Sequence, residues 1–460
     1  MQVIDKKDVP QEIVVTVEKL SNQGFGIAKY EGFVIFIAEA CPKDVVKIRI
    51  TSKKKSYAYA DIVEIIEPSE YRVEPFCKMQ KVCGACQLQY IKYEGQLEYK
   101  KEIVEDTMKS ILGFLPEIKD VIPSPQKTEY RHKIQYPVSE TKESKRLIAG
   151  YYKSATHDIV NIKYCPIQPA CCDEIVEFIR KEAIKFNISG YKEKTHSGIL
   201  RHILIRVSSI NQKSLVVLVV NTTSISQNMK DFAKRIYDNF DNVSGVGINI
   251  NSKKTNLILG EKTEIICGEE YIEEALCDKI FKVGPKTFFQ VNPKSADNIF
   301  RYVFDYVKTN FETPKILDAY AGIATFGICV SDIAQKVVSI EEVKESTDLA
   351  LKIIKENNIE NIEVYNMDTS KAVNILKNKG YSFDVSIIDP PRKGCSKESL
   401  DYLLELTKQK IIYVSCNPAT LARDLKYLKD KGANVEYIQP FDMFPHTYHI
   451  ENVAIIEIKK

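Results

Sequence analysis

Near the N-terminus, hydrophobic and polar positions alternate. EIVVTVEKL, GFVIFIAEA, VVKIRITSKKK and YAYADIVEIIE, between residues 11 and 67, are short runs with an apolar side chain at about every second position. Period two marks a strand with one buried face. Runs of this length separated by turns suit a small closed barrel of the oligonucleotide-binding type. Gly24-Phe25-Gly26 punctuates the first turn, and Lys53-Lys54-Lys55 reads as a solvated surface turn.

The pattern changes twice. Pro68, Pro75, Pro123, Pro125 and Pro137 mark the irregular start of a central α+β region, 69–285, of which part of 93–125 is expected to pack on the last domain. From 286 to 460 the pattern is βα alternation: KILDAYA, KVVSIE, IEVYNMD, DVSIIDPP and KIIYVSC each precede a helical segment. That order predicts a parallel, doubly wound α/β sheet, Rossmann-like, closed by two strands in NVEYIQPFDMFPHTYHIENVAIIEIK with no helix between them. The expectation is therefore a multi-domain chain, with a barrel at 1–68, a central domain and a C-terminal α/β domain.

Composition narrows the class. The chain has 460 residues, 44% hydrophobic and 28% charged, with net charge +3. That total is no argument for a nucleic-acid partner, which would need local basic patches. The longest aliphatic run, Leu215 to Val220, is too short to cross a membrane, and the N-terminus has no apolar signal core. The expectation is a cytoplasmic monomer without a membrane partner. In such a compartment clustered cysteines suggest metal or catalysis before disulfides.

Candidate chemistry lies at the carboxyl ends of the C-terminal strands, where open α/β sheets hold ligands. A small-residue turn, Asp318-Ala319-Tyr320-Ala321-Gly322, follows the first strand. Glu341 ends the second, where a ribose hydroxyl pair would be gripped, and Asp368 ends the third, placed to meet an adenine amino group. Either acid alone is more often a helix cap. The fourth strand ends in Asp389-Pro390-Pro391-Arg392-Lys393-Gly394-Cys395, and the fifth in Ser415-Cys416-Asn417-Pro418. An Asp-Pro-Pro turn beside a thiol suggests methyl transfer to a carbon: a thiolate adding to C6 of uracil makes C5 nucleophilic, and a base must then remove the C5 proton.

These motifs, with Phe289-Gln290-Val291-Asn292 and Gln439 to Glu451, resemble the RNA uracil-C5 methyltransferase family, and the N-terminal runs resemble a TRAM domain. The resemblance covers nearly the whole chain. It implies S-adenosylmethionine (SAM) as cofactor, Cys416 as nucleophile and Glu451 as general base. It implies that Gln290, Tyr320, Thr325, Glu341 and Asp368 line the cofactor, with Asp389 between cofactor and uracil. It also implies an RNA partner: 23S rRNA on the ribosomal branch, with tRNA as the alternative. A non-catalytic RNA-binding protein is opposed by the intact Cys416, Asp389 and Glu451. Ala321 and Ala324 depart from the Cys and second Gly frequent in the family, and Thr325 stands where some members have Asn.

Cys77-x5-Cys83-x2-Cys86 and the distant Cys165 make a four-thiolate set. Sulfur ligation fits zinc or iron–sulfur. A single CxxC tilts toward a [4Fe-4S] cluster, and the resemblance points the same way. Cys171 and Cys172 read as structural, and Cys41, Cys267, Cys277 and Cys329 as small core residues. Lys127 to Lys163 carries eight Lys/Arg against four acids, with Tyr130, Tyr136, Tyr151 and Tyr152 among them. Its Tyr130-Arg131-His132-Lys133 predicts cations on phosphates and rings stacked on bases.

Overall fold

The computed structural model describes residues 10–459. The first six strands are β1 (Glu12–Thr16), β2 (Lys19–Leu20), β3 (Gly26–Tyr30), β4 (Phe33–Ile37), β5 (Val45–Lys53) and β6 (Tyr57–Glu67). They pair in the order β1-β5-β6-β4-β3-β2. One continuous segment forms both ends of this sheet. Its Val17 N–H donates to Asp44 O at 2.9 Å and its Glu18 N–H to Ile27 O at 2.7 Å, which closes the barrel. Period two sorts the faces: Ile35, Ile37, Ala58 and Ala60 point in, fully or almost fully buried.

The middle of the chain holds α1 (Tyr93–Leu112), β7 (Glu117–Ile118), β8 (Lys133–Glu140), β9 (Leu147–Ala149), α2 (Ala170–Lys185), β10 (Leu200–Val207), β11 (Ser214–Val220), α3 (Gln227–Tyr237), β12 (Val243–Ile250) and β13 (Lys262–Gly268). Six strands form a sheet in the order β13-β12-β11-β10-β8-β9, and α2 and α3 bury Ile175, Ile179, Phe232 and Ile236 in one core with it. The hairpin of β14 (Ile272–Leu276) and β15 (Lys279–Val283) stands apart from that sheet.

This core corrects the stacking expectation. Tyr130 and Tyr136 are fully buried. Their hydroxyls donate to Pro445 O at 2.9 Å and to Gln168 Oε1 at 2.9 Å. A strand that reads as basic with interleaved aromatics has turned those rings inward, because burying a tyrosine removes more apolar area from water than its paired hydroxyl costs. Of the four tyrosines only Tyr152 is exposed.

The last unit runs α4 (Pro293–Asn310), β16 (Lys315–Ala319), α5 (Thr325–Val330), β17 (Lys336–Glu341), α6 (Lys344–Glu356), β18 (Ile362–Asn366), α7 (Thr369–Asn378), β19 (Phe383–Ile388), α8 (Lys397–Leu406), β20 (Thr407–Ser415), α9 (Pro418–Asp430), β21 (Asn434–Phe441) and β22 (Glu451–Glu457). The order is β18-β17-β16-β19-β20-β22-β21-β7. β16 to β20 are parallel and β22 is antiparallel to both neighbours. Successive residues serve opposite faces: Ile316, Val337 and Ile412 enter one apolar core, and Leu317, Val338 and Ile411 the other. The order reverses between β16 and β19, which opens a crevice at their carboxyl ends.

The eighth strand comes from far upstream. β7 pairs parallel to β21, and Val104, Met108 and Leu112 of α1 share a core with Leu421, Leu425 and Leu428 of α9. Among the described residues, no helix is long and apolar enough to cross a membrane.

Candidate active site

The first strand-end turn is built on a buried acid. Asp318 accepts from Gly327 N–H at 2.9 Å and Ser339 Oγ at 3.1 Å, and burial pushes its carboxyl up to about 7. Gly327 is required there: a Cβ would lie 2.5 Å from Ser339 Oγ. Three residues of the following turn are left-handed, Tyr320 (φ 62°), Gly322 (φ 57°) and Ala324 (φ 59°). The departure from glycine at 324 therefore falls on a strained position. Glu341 accepts from Gly322 N–H at 2.9 Å and from Val343 N–H at 2.9 Å, which fixes the turn against β17.

Asp368 caps α7, accepting from the backbone of Ser370 and Lys371, and its charge reaches the half-buried Tyr320 ring. Thr325 opens α5 directly after the turn. The sheet thus aligns Tyr320, Thr325, Glu341 and Asp368 along one edge. Gln290 comes from a different segment, half-buried two residues before Asn292, the cap of α4. No hydrogen bond among the described residues links Gln290 to the other four.

Cys416 stands at the next gap. Asn417 caps α9 and Pro418 takes its first turn, so the chain must leave the strand at Cys416. β20 and β22 pair Ser415 with Asn452, and one further step of that register sets Cys416 opposite Glu451. Because β22 runs antiparallel, its first residue lies at the edge where the parallel strands end. Burial pushes the Cys416 thiol up to about 11; the Glu451 and Asp389 charges raise it further, and Arg392 lowers it by charge and hydrogen bond. Burial holds Glu451 well above the usual carboxylate range, with Asp389 adding and Arg392 opposing. Burial pushes Asp389 up to about 7, with Asp318 adding. Three acids and one thiol thus share a poorly hydrated edge whose nearby cation is Arg392.

Sequence reasoning gave Arg392 no role, although its place in the Asp-Pro-Pro-Arg turn beside a thiol was the available signal. Asn417 Nδ2 and Thr420 Oγ1 both donate to Arg392 O at 3.2 Å, tying the two strand-end turns together.

A buried polar network carries the loop before Glu451. Lys100 on α1 donates to Asp442 Oδ1 at 2.6 Å and to Phe444 O at 3.0 Å, and Tyr93 donates to Asp442 Oδ2 at 2.8 Å. Asn292 Nδ2 donates to Met443 O at 3.0 Å, and Gln96 accepts from His446 N–H at 2.8 Å. Both Lys100 and Asp442 side chains are wholly buried. This helix, far upstream in sequence, positions the segment that presents His449 and Glu451. Burial pushes His449 down to about 4, so its imidazole is neutral at pH 7.

The basic tetrapeptide also reaches this region. His132 N–H donates to Val291 O at 2.7 Å, next to Gln290. Burial pushes Lys133 down to about 7, with Arg206 and Arg131 adding, and it has no ion-pair partner among the described residues.

Cys77, Cys83, Cys86 and Cys165 line one pocket with Met79, Ile162 and Ile167. Burial pushes Cys86 and Cys165 up to about 12, and the neighbouring thiols add to it. Among the described residues, no three His, Cys, Asp or Glu converge to hold a metal ion.

Comparison with known proteins gives one family. Residues 92–459 match the family model of tRNA (uracil-5-)-methyltransferases, and residues 6–63 match the TRAM domain. An RNA methyltransferase of Halalkalibacterium halodurans is 35% identical over 458 residues, covering 99% of this chain and 98% of that protein. One from Clostridium acetobutylicum is 36% identical over 456 residues, covering 98% of each. The crystal structure of the Pyrococcus abyssi tRNA (uracil-54, C5)-methyltransferase with S-adenosyl-L-homocysteine superposes with TM-score 0.76 at 26% identity, covering 96% of this chain and 100% of that one.

Proposed function

The chain belongs to the tRNA (uracil-5-)-methyltransferase family and is a SAM-dependent RNA uracil-C5 methyltransferase; from that premise we propose that it acts on a uridine of 23S rRNA through a Cys416 adduct. The observation that carries the mechanism is the meeting of Cys416, Glu451, Asp389 and Arg392 at one strand edge. Gln290, Tyr320, Thr325, Glu341 and Asp368 would hold the cofactor beside that edge. When bound, SAM supplies an electrophilic methyl group.

The chain's own residues do the rest. The target uracil leaves its stack to reach the edge. Cys416 loses its proton to solvent, its thiolate favoured by Arg392, and its sulfur bonds to C6, pushing the C5–C6 electron pair toward C5 and making C5 the nucleophile. Once C5 carries the methyl group, Glu451 takes the C5 proton. The electron pair released expels the sulfur from C6 and restores the C5–C6 double bond. Burial makes the Glu451 carboxylate a stronger base than one in water. Asp389 would lie between cofactor and uracil.

The cysteine pocket supports a [4Fe-4S] cluster held by Cys77, Cys83, Cys86 and Cys165. Four thiols line one pocket, a donor set that would give one thiolate to each iron of such a cluster. Its part is structural, joining the 77–86 loop to the turn at Cys165. The likeness to a tRNA (uracil-54, C5)-methyltransferase favours a second reading, with tRNA as substrate.

The test is transfer of labelled methyl from SAM to purified 23S rRNA and to tRNA, with 5-methyluridine mapped in RNA of cells lacking the protein. A 5-methyluridine lost from 23S rRNA supports the first reading, and one lost from tRNA overturns it for the second.

A further inference from the structure

Two thiols that read in the sequence as small core residues meet beside the cofactor turn. The hairpin of β14 and β15 reverses at Cys277-Asp278, both left-handed with φ 47° and 62°. Two-residue hairpin turns of this hand favour Asn-Gly. Here a cysteine takes the first place, and its side chain enters the core that the hairpin shares with α5. Cys329 on α5 reaches the same point from the other side. Its Sγ lies 3.9 Å from Leu276 O, and it interacts directly with the Cys277 side chain. Both are free thiols; Cys277 is 9% exposed and Cys329 1%.

The two partners are held differently. The hairpin is braced on its neighbours. Cys277 N–H donates to Asp297 Oδ1 of α4 at 2.8 Å, and Arg301 on the same helix joins Asp297 Oδ2 at 2.6 Å to Asp278 Oδ1 at 2.9 Å. On the other strand Lys282 pairs with Glu356 at 2.7 Å, and Asn357 Nδ2 donates to Ile280 O at 2.9 Å. α5 has six residues and starts from left-handed Ala324. Thr325 stands four residues before Cys329 on that helix. Gly327, two residues before it, donates its N–H to Asp318 at 2.9 Å. The Asp318 charge reaches the Cys329 sulfur. The thiol pair therefore joins a fixed hairpin to the short helix that ends the cofactor turn.

We propose that Cys277 and Cys329 are a redox modification site: hydrogen peroxide joins them in a reversible disulfide, and that bond displaces α5 and weakens SAM binding. The weakening rests on the reading that this turn lines the cofactor. Burial holds Cys329 protonated, well above the ordinary thiol range, so Cys277, nearer the surface, meets the oxidant first. The Cys277 sulfur, losing its proton, takes one peroxide oxygen; the O–O bond breaks and the other oxygen leaves as water, giving a sulfenic acid. The Cys329 sulfur then loses its proton and bonds to the Cys277 sulfur, expelling the hydroxyl, which takes that proton and leaves as water. Two thiols are oxidised by two electrons, and one peroxide is reduced to two waters. Joined sulfurs stand closer than two thiols in contact can. The braced hairpin keeps its place, so α5 moves and carries Thr325 and the turn with it. A thiol reductant reverses the change by exchange.

The test uses the full chain carrying Cys416→Ala, so that peroxide cannot act through that thiol, and reads S-adenosyl-L-homocysteine binding by calorimetry beside mass-spectrometric mapping of cross-linked peptides. Peroxide should yield a peptide pair joined through Cys277 and Cys329 and weaken binding by about tenfold or more. Dithiothreitol should restore both. Cys277→Ser and Cys329→Ala, each on the same background, should keep the reduced affinity after the same treatment, which separates this pair from the other cysteines. The mapped cross-link needs neither variant to fold. Its absence at a peroxide dose that oxidises Cys416 in the wild-type chain overturns the proposal, and so does a cross-link that leaves binding unchanged. Reduced protein that binds no S-adenosyl-L-homocysteine overturns the cofactor reading instead, and the mapped cross-link still decides whether the pair is a modification site.

Discussion

The candidate catalytic edge and the cysteine pocket both raise thiols above their ordinary range by burial, and they differ in which other groups act on the sulfur. Around Cys416, carboxyl groups from Asp389 and Glu451 add to burial while the single guanidinium of Arg392 opposes them. Around Cys86 and Cys165, burial is again the largest push, hydrogen bonds from Gln89 and from the Ile167 backbone oppose it, and the neighbouring thiols add to it; the pull of Arg131 on Cys86 ranks last. At the first, charges of both signs act on one thiol, so a change in either moves its ionisation, which a reversible nucleophile can use. At the second, the sulfurs act on one another, and a positive guest would relieve that repulsion if they ionised.

The largest effect expected from this contrast is at Cys416. Cys416→Ala should abolish methyl transfer, a loss of about 10⁴-fold or more, and should leave iron content and thermal unfolding unchanged. Glu451→Gln keeps the shape and removes the base, so methyl transfer should occur once and stall. Protein and RNA should then stay joined through a denaturing gel, as they should when wild type meets 5-fluorouridine RNA. Normal turnover by Glu451→Gln, with no trapping by 5-fluorouridine, would show that no covalent adduct forms.

The cysteine pocket should answer in the opposite way. Protein purified without oxygen should be brown, with iron and sulfide in comparable amounts. Cys165→Ser should lose most of that iron and destabilise the chain by about 2–5 kcal/mol, as loss of a structural cross-link does. Any protein that stays folded should retain kcat near wild type. Stoichiometric zinc without sulfide would remove the cluster and leave the structural role with a different metal.

How much of this was legible depended on the range of the information. Period two and βα alternation are local signals, so the barrel strands and the five parallel strands with Cys416 and Asp389 at their ends could be read directly. So could Asp368 as an acid before a helix, and it is indeed that helix's cap. The pinning of the Glu451 loop by Tyr93, Gln96 and Lys100 could not: the partners lie over 300 residues apart in sequence, |i−j| = 342 for Lys100 and Asp442. Lys100 reads as one more surface lysine of a helix until its ammonium is found wholly buried. Tyr130 and Tyr136 failed for a related reason. A tyrosine between basic residues has the same local pattern whether its ring faces water or the core, and only the docking of α2 on the sheet decides.

The finest test of the contrast is the pH dependence at Arg392. A thiol at about 11 is mostly protonated at pH 7, so kcat/KM should rise with pH as the Cys416 thiolate fraction grows. Arg392 lowers that thiol, so Arg392→Ala should raise it and move the limb to higher pH. A displacement of about one unit would mean a loss of about tenfold at fixed neutral pH, largely recovered at alkaline pH. Glu451 raises the same thiol, so Glu451→Gln should move the limb of adduct formation to lower pH, even though it cannot complete turnover. The two variants therefore shift one ionisation in opposite directions, an outcome that loss of RNA contacts alone would not produce. If Arg392→Ala instead raises KM for RNA at every pH and leaves the limb in place, the guanidinium holds the substrate and the balance around Cys416 is struck without it.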